Sequence, residues 1–197
     1  MQYKISSDAL YQNGIPISRR LAGQSLRDFL MQLTGAFYEG EEYRFGVVDD
    51  LGLACLAATA ACLKDEDQWR QTPVRQRALV FATRSGSLMT DLEFQGELDR
   101  SGRTSPRVFV QTLPNMAAGQ VAACFAVCGE HFVLIQSSPD DAARAETVAM
   151  CLAYGGARAC LTGWAEYTTA GLSVELSVVY AEANAQSSPG LLTSARS

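Results

Sequence analysis

The chain is poor in groups commonly used for proton transfer and metal binding. It has one histidine, His131, in 197 residues. No C-x-x-C pair occurs among its six cysteines. Zinc sites draw on Cys and His at short, regular spacings, so the pattern argues against one. Cys55 and Cys151 sit among Ala, Met and Leu, and Cys124 and Cys128 lie one helical turn apart. These read as reduced thiols packed as small apolar groups. No metal and no cofactor is expected.

No apolar run approaches the ~20 residues of a membrane-spanning helix. No basic segment leads into an apolar one near the start, so no secretory leader is expected and a cytoplasmic location is. Basic residues are outnumbered, 16 Lys and Arg against 21 Asp and Glu, for a net charge of −5. Phosphate backbones need a basic face, so nucleic acid is not an expected partner. What is present is apolar residues, 48% of the chain, enough for a sizeable single core.

Their spacing predicts the elements. Met1 to Ile17 alternates loosely around the turn dipeptide Asn13-Gly14 and predicts a strand or hairpin. Ser25 to Phe37 has helical spacing, and Asp49 to Lys64 is apolar on all sides, a helix covered by protein. Asp65 to Arg77 reads as a loop, Ala78 to Thr83 as a buried strand, Leu88 to Leu98 as a helix and Arg100 to Ser105 as a loop. Pro106 to Thr112 is β-branched and aromatic, which predicts a short strand. Pro114 suits a first helical turn, with Ala117, Ala118, Val121, Ala122 and Phe125 at helical spacing and Gly129 as the stop. Phe132 to Ile135 predicts a buried strand. Pro139, Asp140 and Asp141 open a helix that runs to Tyr154. Strands are expected at Ala157 to Trp164 and Leu172 to Glu182. The order is βαβαβαββ-like: an α/β fold, one domain over 1–183, with a mixed sheet, helices on both faces and parallel strands in its middle. Residues 184–197 are Ser-, Ala- and Gly-rich and read as a disordered tail.

Thr112 to Gln120, TLPNMAAGQ, resembles the helix signature of the β-ketoacyl synthase family of the thiolase fold. Gly129-Glu130-His131-Phe132 matches that family's G-P-x-F with the proline replaced. Ser85-Gly86-Ser87 resembles its G-S-G-like turn, and Thr162 to Glu166 its V-x-x-A-G-G-A-E strand. The resemblance covers about residues 45 to 168 and implies one thiolase-like half.

Counting on from Gly129, the family's nucleophilic cysteine falls on Ser138, and its T-A-C becomes Gln136-Ser137-Ser138. A ketosynthase needs the thiolate as nucleophile and leaving group. It also needs a His–His or His–Asn pair from a second half that these 197 residues do not reach. His131 falls in the G-P-x slot and reads as a structural or surface residue. A serine needs a base, and Asp140 and Asp141 are weak bases at neutral pH. No catalytic residue is therefore assigned.

The resemblance then implies a non-catalytic subunit similar to the chain length factors of aryl-polyene-type pathways. Such a subunit pairs with a full-length ketosynthase, and acyl carrier protein docks through that partner. Two alternatives stay open: an acyl-transferring or thioester-hydrolysing enzyme using Ser138, or a homodimeric acyl-binding module. The family's dimer contact implies that Arg107, Val108, Phe109, Val110 and Gln111 form a strand pairing with the partner. Thr112, Leu113, Pro114, Asn115 and Met116 would face the partner's acyl tunnel, and Leu88, Met89 and Leu92 would line its floor. Plain core packing is the equal alternative for Leu88, Leu92 and Met116.

Overall fold

A computed structural model of the chain describes residues 1–40, 43–139 and 142–182. The expected tail, and the first-turn role given to Asp140 and Asp141, lie outside the described residues.

The chain opens with three antiparallel strands, β1 (Gln2–Ser6), β2 (Ala9–Gln12) and β3 (Ile15–Arg19). Asn13 and Gly14 both have positive φ, 49° and 82°, the backbone that a two-residue hairpin turn requires. Helix α1 (Leu26–Phe37) starts where the Ser25 hydroxyl accepts the Asp28 N–H at 3.0 Å. Helix α2 (Asp50–Leu63) is buried from Leu51 to Leu63, as its all-round apolar composition demands. The segment expected to be a loop instead folds into a short helix, α3 (Asp67–Gln71), and a single 3-10 turn.

Strand β4 (Arg77–Thr83) then leads to α4 (Leu88–Ser101), which Gly102 ends in the left-handed region. The next element corrects the expectation for 106–112. It is a helix, α5 (Pro106–Gln111), not a strand. Ser105 caps it through the Arg107 N–H, and Pro106 takes its first turn. That start signal is local and specific. The β-preference of Val108, Phe109 and Val110 depends on a neighbouring strand, and none lies beside them. Helix α6 (Met116–Cys124) starts two residues later than Pro114, and it stops at Phe125 rather than Gly129 because Ala126 turns left-handed.

Strand β5 (His131–Ile135), α7 (Ala142–Ala153), β6 (Ala159–Thr168) and β7 (Gly171–Tyr180) complete the described chain. All seven strands form one sheet in the order β3-β2-β1-β7-β6-β4-β5. The expected mixed sheet is present, but its parallel part is at one end. Strand β4 pairs in parallel with β5 and β6, and the other four pairings are antiparallel.

Alternation sorts the side chains between two faces. Ile5, Leu79, Phe81, Leu161, Val174 and Leu176 pack against α2 and its neighbours α1 and α6. Ala78, Val80 and Cys160 point the other way and pack against Val148 and Cys151 of α7. Helices thus lie on both faces, as the sequence predicts. Burying a Leu such as Leu53 or Leu56 contributes about 1.5–3 kcal/mol, so α2 is a principal hydrophobic element of the fold. Among the described residues no helix is long and apolar enough to cross a membrane.

Candidate functional site

In open α/β sheets, ligands bind outside the carboxyl ends of parallel strands, where successive connections leave for opposite faces. The connection after β4 leads to α6 on the first face, and the one after β5 leads to α7 on the second. The loops at 83–87 and 136–139 flank this point.

The first loop is held by Glu166 at the end of β6. One of its carboxylate oxygens accepts the Thr83 hydroxyl at 3.0 Å and the Arg84 and Ser85 N–H groups at 2.7 and 3.3 Å. The Ser85 hydroxyl donates to the other. Gly86 has φ +59°, and a β-carbon there would press on Pro114 at 3.1 Å. Pro114 therefore packs against the turn, outside α6. Glu166, matched only by resemblance in the sequence, is the residue that shapes this turn.

Ser138 sits half-buried on a bend after β5. No base among the described residues hydrogen-bonds its hydroxyl. His131 is at the opposite end of β5, where its Nε2 lies 2.8 Å from the Val127 carbonyl. Gln136, two residues before Ser138, is buried; its N–H donates to the Thr83 carbonyl at 2.9 Å, and neither polar atom of its carboxamide has a partner among the described residues. Serine activation needs an adjacent general base, and among the described residues none is brought to Ser138.

On the first face a cleft of about 700 Å³ opens between the start of α2 and the α4–α5 pair. Met89, Leu92, Arg107, Val108 and Gln111 line it, so tertiary structure joins residues expected in two separate roles. Leu88 and Met116 are half-buried and do not line it; nor do Phe109, Val110 or Thr112 to Asn115. Thr90 is the only buried residue of the α4–α5 pair. Phe94 and Phe109 meet across the pair with ring centroids 5.7 Å apart and planes tilted by 48°, while Leu92, Leu98, Phe109, Val110 and Leu113 are exposed.

Residues that the sequence did not single out form the cleft floor. Asp49 caps α2, accepting the Gly52 N–H at 2.7 Å, and also accepts the Thr90 hydroxyl at 2.9 Å. Burial pushes the Asp49 carboxyl above the usual carboxylate range, opposed by these two donors and by Arg27, with Asp50 adding to the rise. Arg27 pairs with Asp50 at 2.9 Å and donates to the Gly46 and Val48 carbonyls. An aspartate before an apolar helix is a readable cap signal; its bond to a threonine on another helix is not readable.

One edge of the sheet is chemically open. Among the described residues strand β5 is last in the order and pairs only with β4, and its Phe132 and Ile135 are 43% and 63% exposed. The strand with a free edge beside the motif is thus β5, whereas Arg107 to Gln111 are helical.

No protein-family profile and no curated protein sequence matches the chain. Solved structures do. The ishigamide ketosynthase/chain length factor aligns with 94% of this chain and 62% of its own, at TM-score 0.64 and 16% identity. The ketosynthase ApeO in complex with its chain length factor ApeC, from Xenorhabdus doucetiae, aligns with 83% of this chain and 76% of its own, at TM-score 0.54 and 14% identity. A type II acyl-carrier protein in complex with its ketosynthase, AntDE:AntF, aligns with 89% of this chain and 60% of its own, at TM-score 0.57 and 13% identity. The chain therefore has the fold of the ketosynthase and chain length factor structures, and it spans about 62% of the length of the first of them.

Proposed function

We propose that this chain is a non-catalytic subunit, similar in role to a chain length factor, that pairs with a full-length ketosynthase and shapes its acyl tunnel. The observation that carries this reading is the open edge of β5, the strand that leads to Ser138, whose hydroxyl meets no base among the described residues. The fold shared with ketosynthase and chain length factor structures supports it.

Contact with the partner takes two parts. The β5 edge offers unpaired N–H and C=O groups to a partner strand, and Phe132 and Ile135 supply apolar area beside them. The α4–α5 pair, with the turn that follows, contributes Arg107 to Asn115 as a helical rather than a strand surface. Phe109, Val110 and Leu113 are its exposed apolar contacts. Met89 and Leu92 face the cleft next to that surface and set where a growing acyl chain meets bulk.

The pathway is a fatty-acid or polyketide assembly of the aryl-polyene type, in the cytoplasm. The acyl carrier protein docks on the ketosynthase, because this chain is itself acidic and repels an acidic carrier. Co-expression with a ketosynthase from the same genome tests the reading. A stable complex whose product length follows this subunit supports it. A protein that stays alone and turns over acyl thioesters through Ser138 overturns it.

A further inference from the structure

The second face of the sheet carries a groove that the chain-length role does not use. Helix α7 buries only Val148 and Cys151 of its 12 residues and packs on β4 and β6. Beside it, toward β7, a groove of about 750 Å³ is open. Ala145, Val148, Ala149 and Leu152 of α7 form one wall, and Val179 of β7, 38% exposed, belongs to the other. Ala145 and Ala149 are exposed and end at the β-carbon, which leaves room beside the helix. A helix of this length spans roughly 18 Å, so the groove is long enough for an extended hydrocarbon chain.

The two ends of the groove differ in charge. The last turn of α7 meets the start of β6, where the Ala157 N–H donates to the Cys151 carbonyl at 3.2 Å and the Ala181 N–H to the Arg158 carbonyl at 3.0 Å. Glu182 lines the groove at that end, and Arg144, in the first turn of α7, lines the other. Arg144 is half-buried. Its Nη2 donates to the Pro139 carbonyl at 3.0 Å, which fixes the guanidinium, and its Nε is buried without an acceptor. No carboxylate among the described residues pairs with it. A cation held beside apolar walls with a donor unfilled is costly, and an anion compensates it.

We propose that this groove binds a single-chain fatty carboxylate, with the carboxylate on Arg144 and the chain running along α7 toward Val179. A guanidinium presents its N–H donors as a fork that matches a carboxylate. Glu182 repels a carboxylate at the far end, so charge sets the direction in which the chain lies. Apolar walls with a few convergent polar groups are the usual make-up of a small-molecule site. The groove and the cleft lined by Met89 and Leu92 are on opposite faces of the sheet, so the site stands or falls apart from the chain-length role.

Calorimetric titration of the isolated full chain with dodecanoate and with dodecanol, both below micelle formation, tests the site. Dodecanoate should bind about tenfold tighter than dodecanol, because only the acid meets the charge of Arg144. Arg144→Gln should weaken dodecanoate by about that factor and leave dodecanol unchanged. Ala149→Trp, at an exposed position, should fill the groove and weaken both ligands while the melting temperature holds. Methyl NMR should place the ligand by shifts at Val148, Leu152 and Val179, with Met89 and Leu92 unmoved. Equal affinity for the acid and the alcohol overturns the proposal, as does a preference for the acid that survives in Arg144→Gln. Shifts at Met89 and Leu92 in place of the groove residues overturn it too, and so does an absence of binding by the full chain.

Discussion

His131 begins strand β5, and Ser138 lies beyond its other end. The imidazole of His131 engages the Val127 carbonyl at 2.8 Å, and Ser138 lies on the bend beyond Ile135. A five-residue strand spans roughly 13 Å at 3.3 Å per step. A hydroxyl and a base separated by that length do not share a proton. The sole histidine of the chain is thus spent on the backbone at the wrong end of β5.

Incubation of the isolated chain with acyl carrier or acyl coenzyme thioesters should leave Ser138 unmodified by intact-protein mass spectrometry. Ser138→Ala should leave product yield of the reconstituted complex within about twofold, since an effect below ~0.5 kcal/mol is expected of a half-buried residue with no hydrogen-bond partner among the described residues. A covalent acyl group on Ser138 would contradict the proposed role.

Ile135→Lys should weaken association with the ketosynthase by about tenfold or more, the loss of ~1.4 kcal/mol that a desolvated apolar contact commonly supplies. A lysine on an edge strand also deters pairing by a second strand. Because Ile135 is 63% exposed in the isolated chain, the melting temperature should barely move. Analytical ultracentrifugation and thermal melts separate the two effects.

A bulk series at Met89 and Leu92, ending in Trp, should shorten the products of the complex. The same series at Leu88, which does not line the cleft, should change stability more than product length. Product profiles by mass spectrometry decide between cleft and core. An unchanged profile at Met89 and Leu92 would count against their tunnel role.

Gly52→Ala should destabilise the fold by about 1–3 kcal/mol. A β-carbon there meets Gln120 Oε1, and Val48 at 2.6 Å, in a packed helix contact. Leu56→Ala, in the middle of α2, should cost about 2–5 kcal/mol. Urea titration followed by circular dichroism measures both.

The thiols predict an alkaline limit. Burial pushes Cys62 and Cys160 up to about 12. The unfolded thiol ionises near 8.5, so the stability these groups contribute is present below that pH and is lost as pH rises toward about 12. Unfolding free energy should therefore fall from about pH 8.5 upward. At pH 8 iodoacetamide should label exposed Cys128 first, while Cys55, Cys62, Cys151 and Cys160 react only after denaturation.

The sequence by itself determined most elements, because their signals are local. Asn13-Gly14 made the hairpin, the all-apolar run after Asp49 made a buried helix, and alternation placed Leu79 and Val80 on opposite faces. It also determined that the nucleophile position holds a hydroxyl and that one histidine serves the whole chain. Tertiary structure decided the rest. Whether Val108 to Val110 lie in a strand depends on a neighbour to pair with, and their only strong local signal was the Ser105-Pro106 helix start. Which strands end the sheet depends on the order of all seven, and β5 is terminal beside β4, opposite β3 at the other end, because β6 inserted on the other side of β4. The joining of Asp49 to Thr90, and of Gln111 to Gln120, required helices distant in sequence to pack side by side, since a hydrogen bond needs both groups within about 3 Å and no spacing along the chain specifies that.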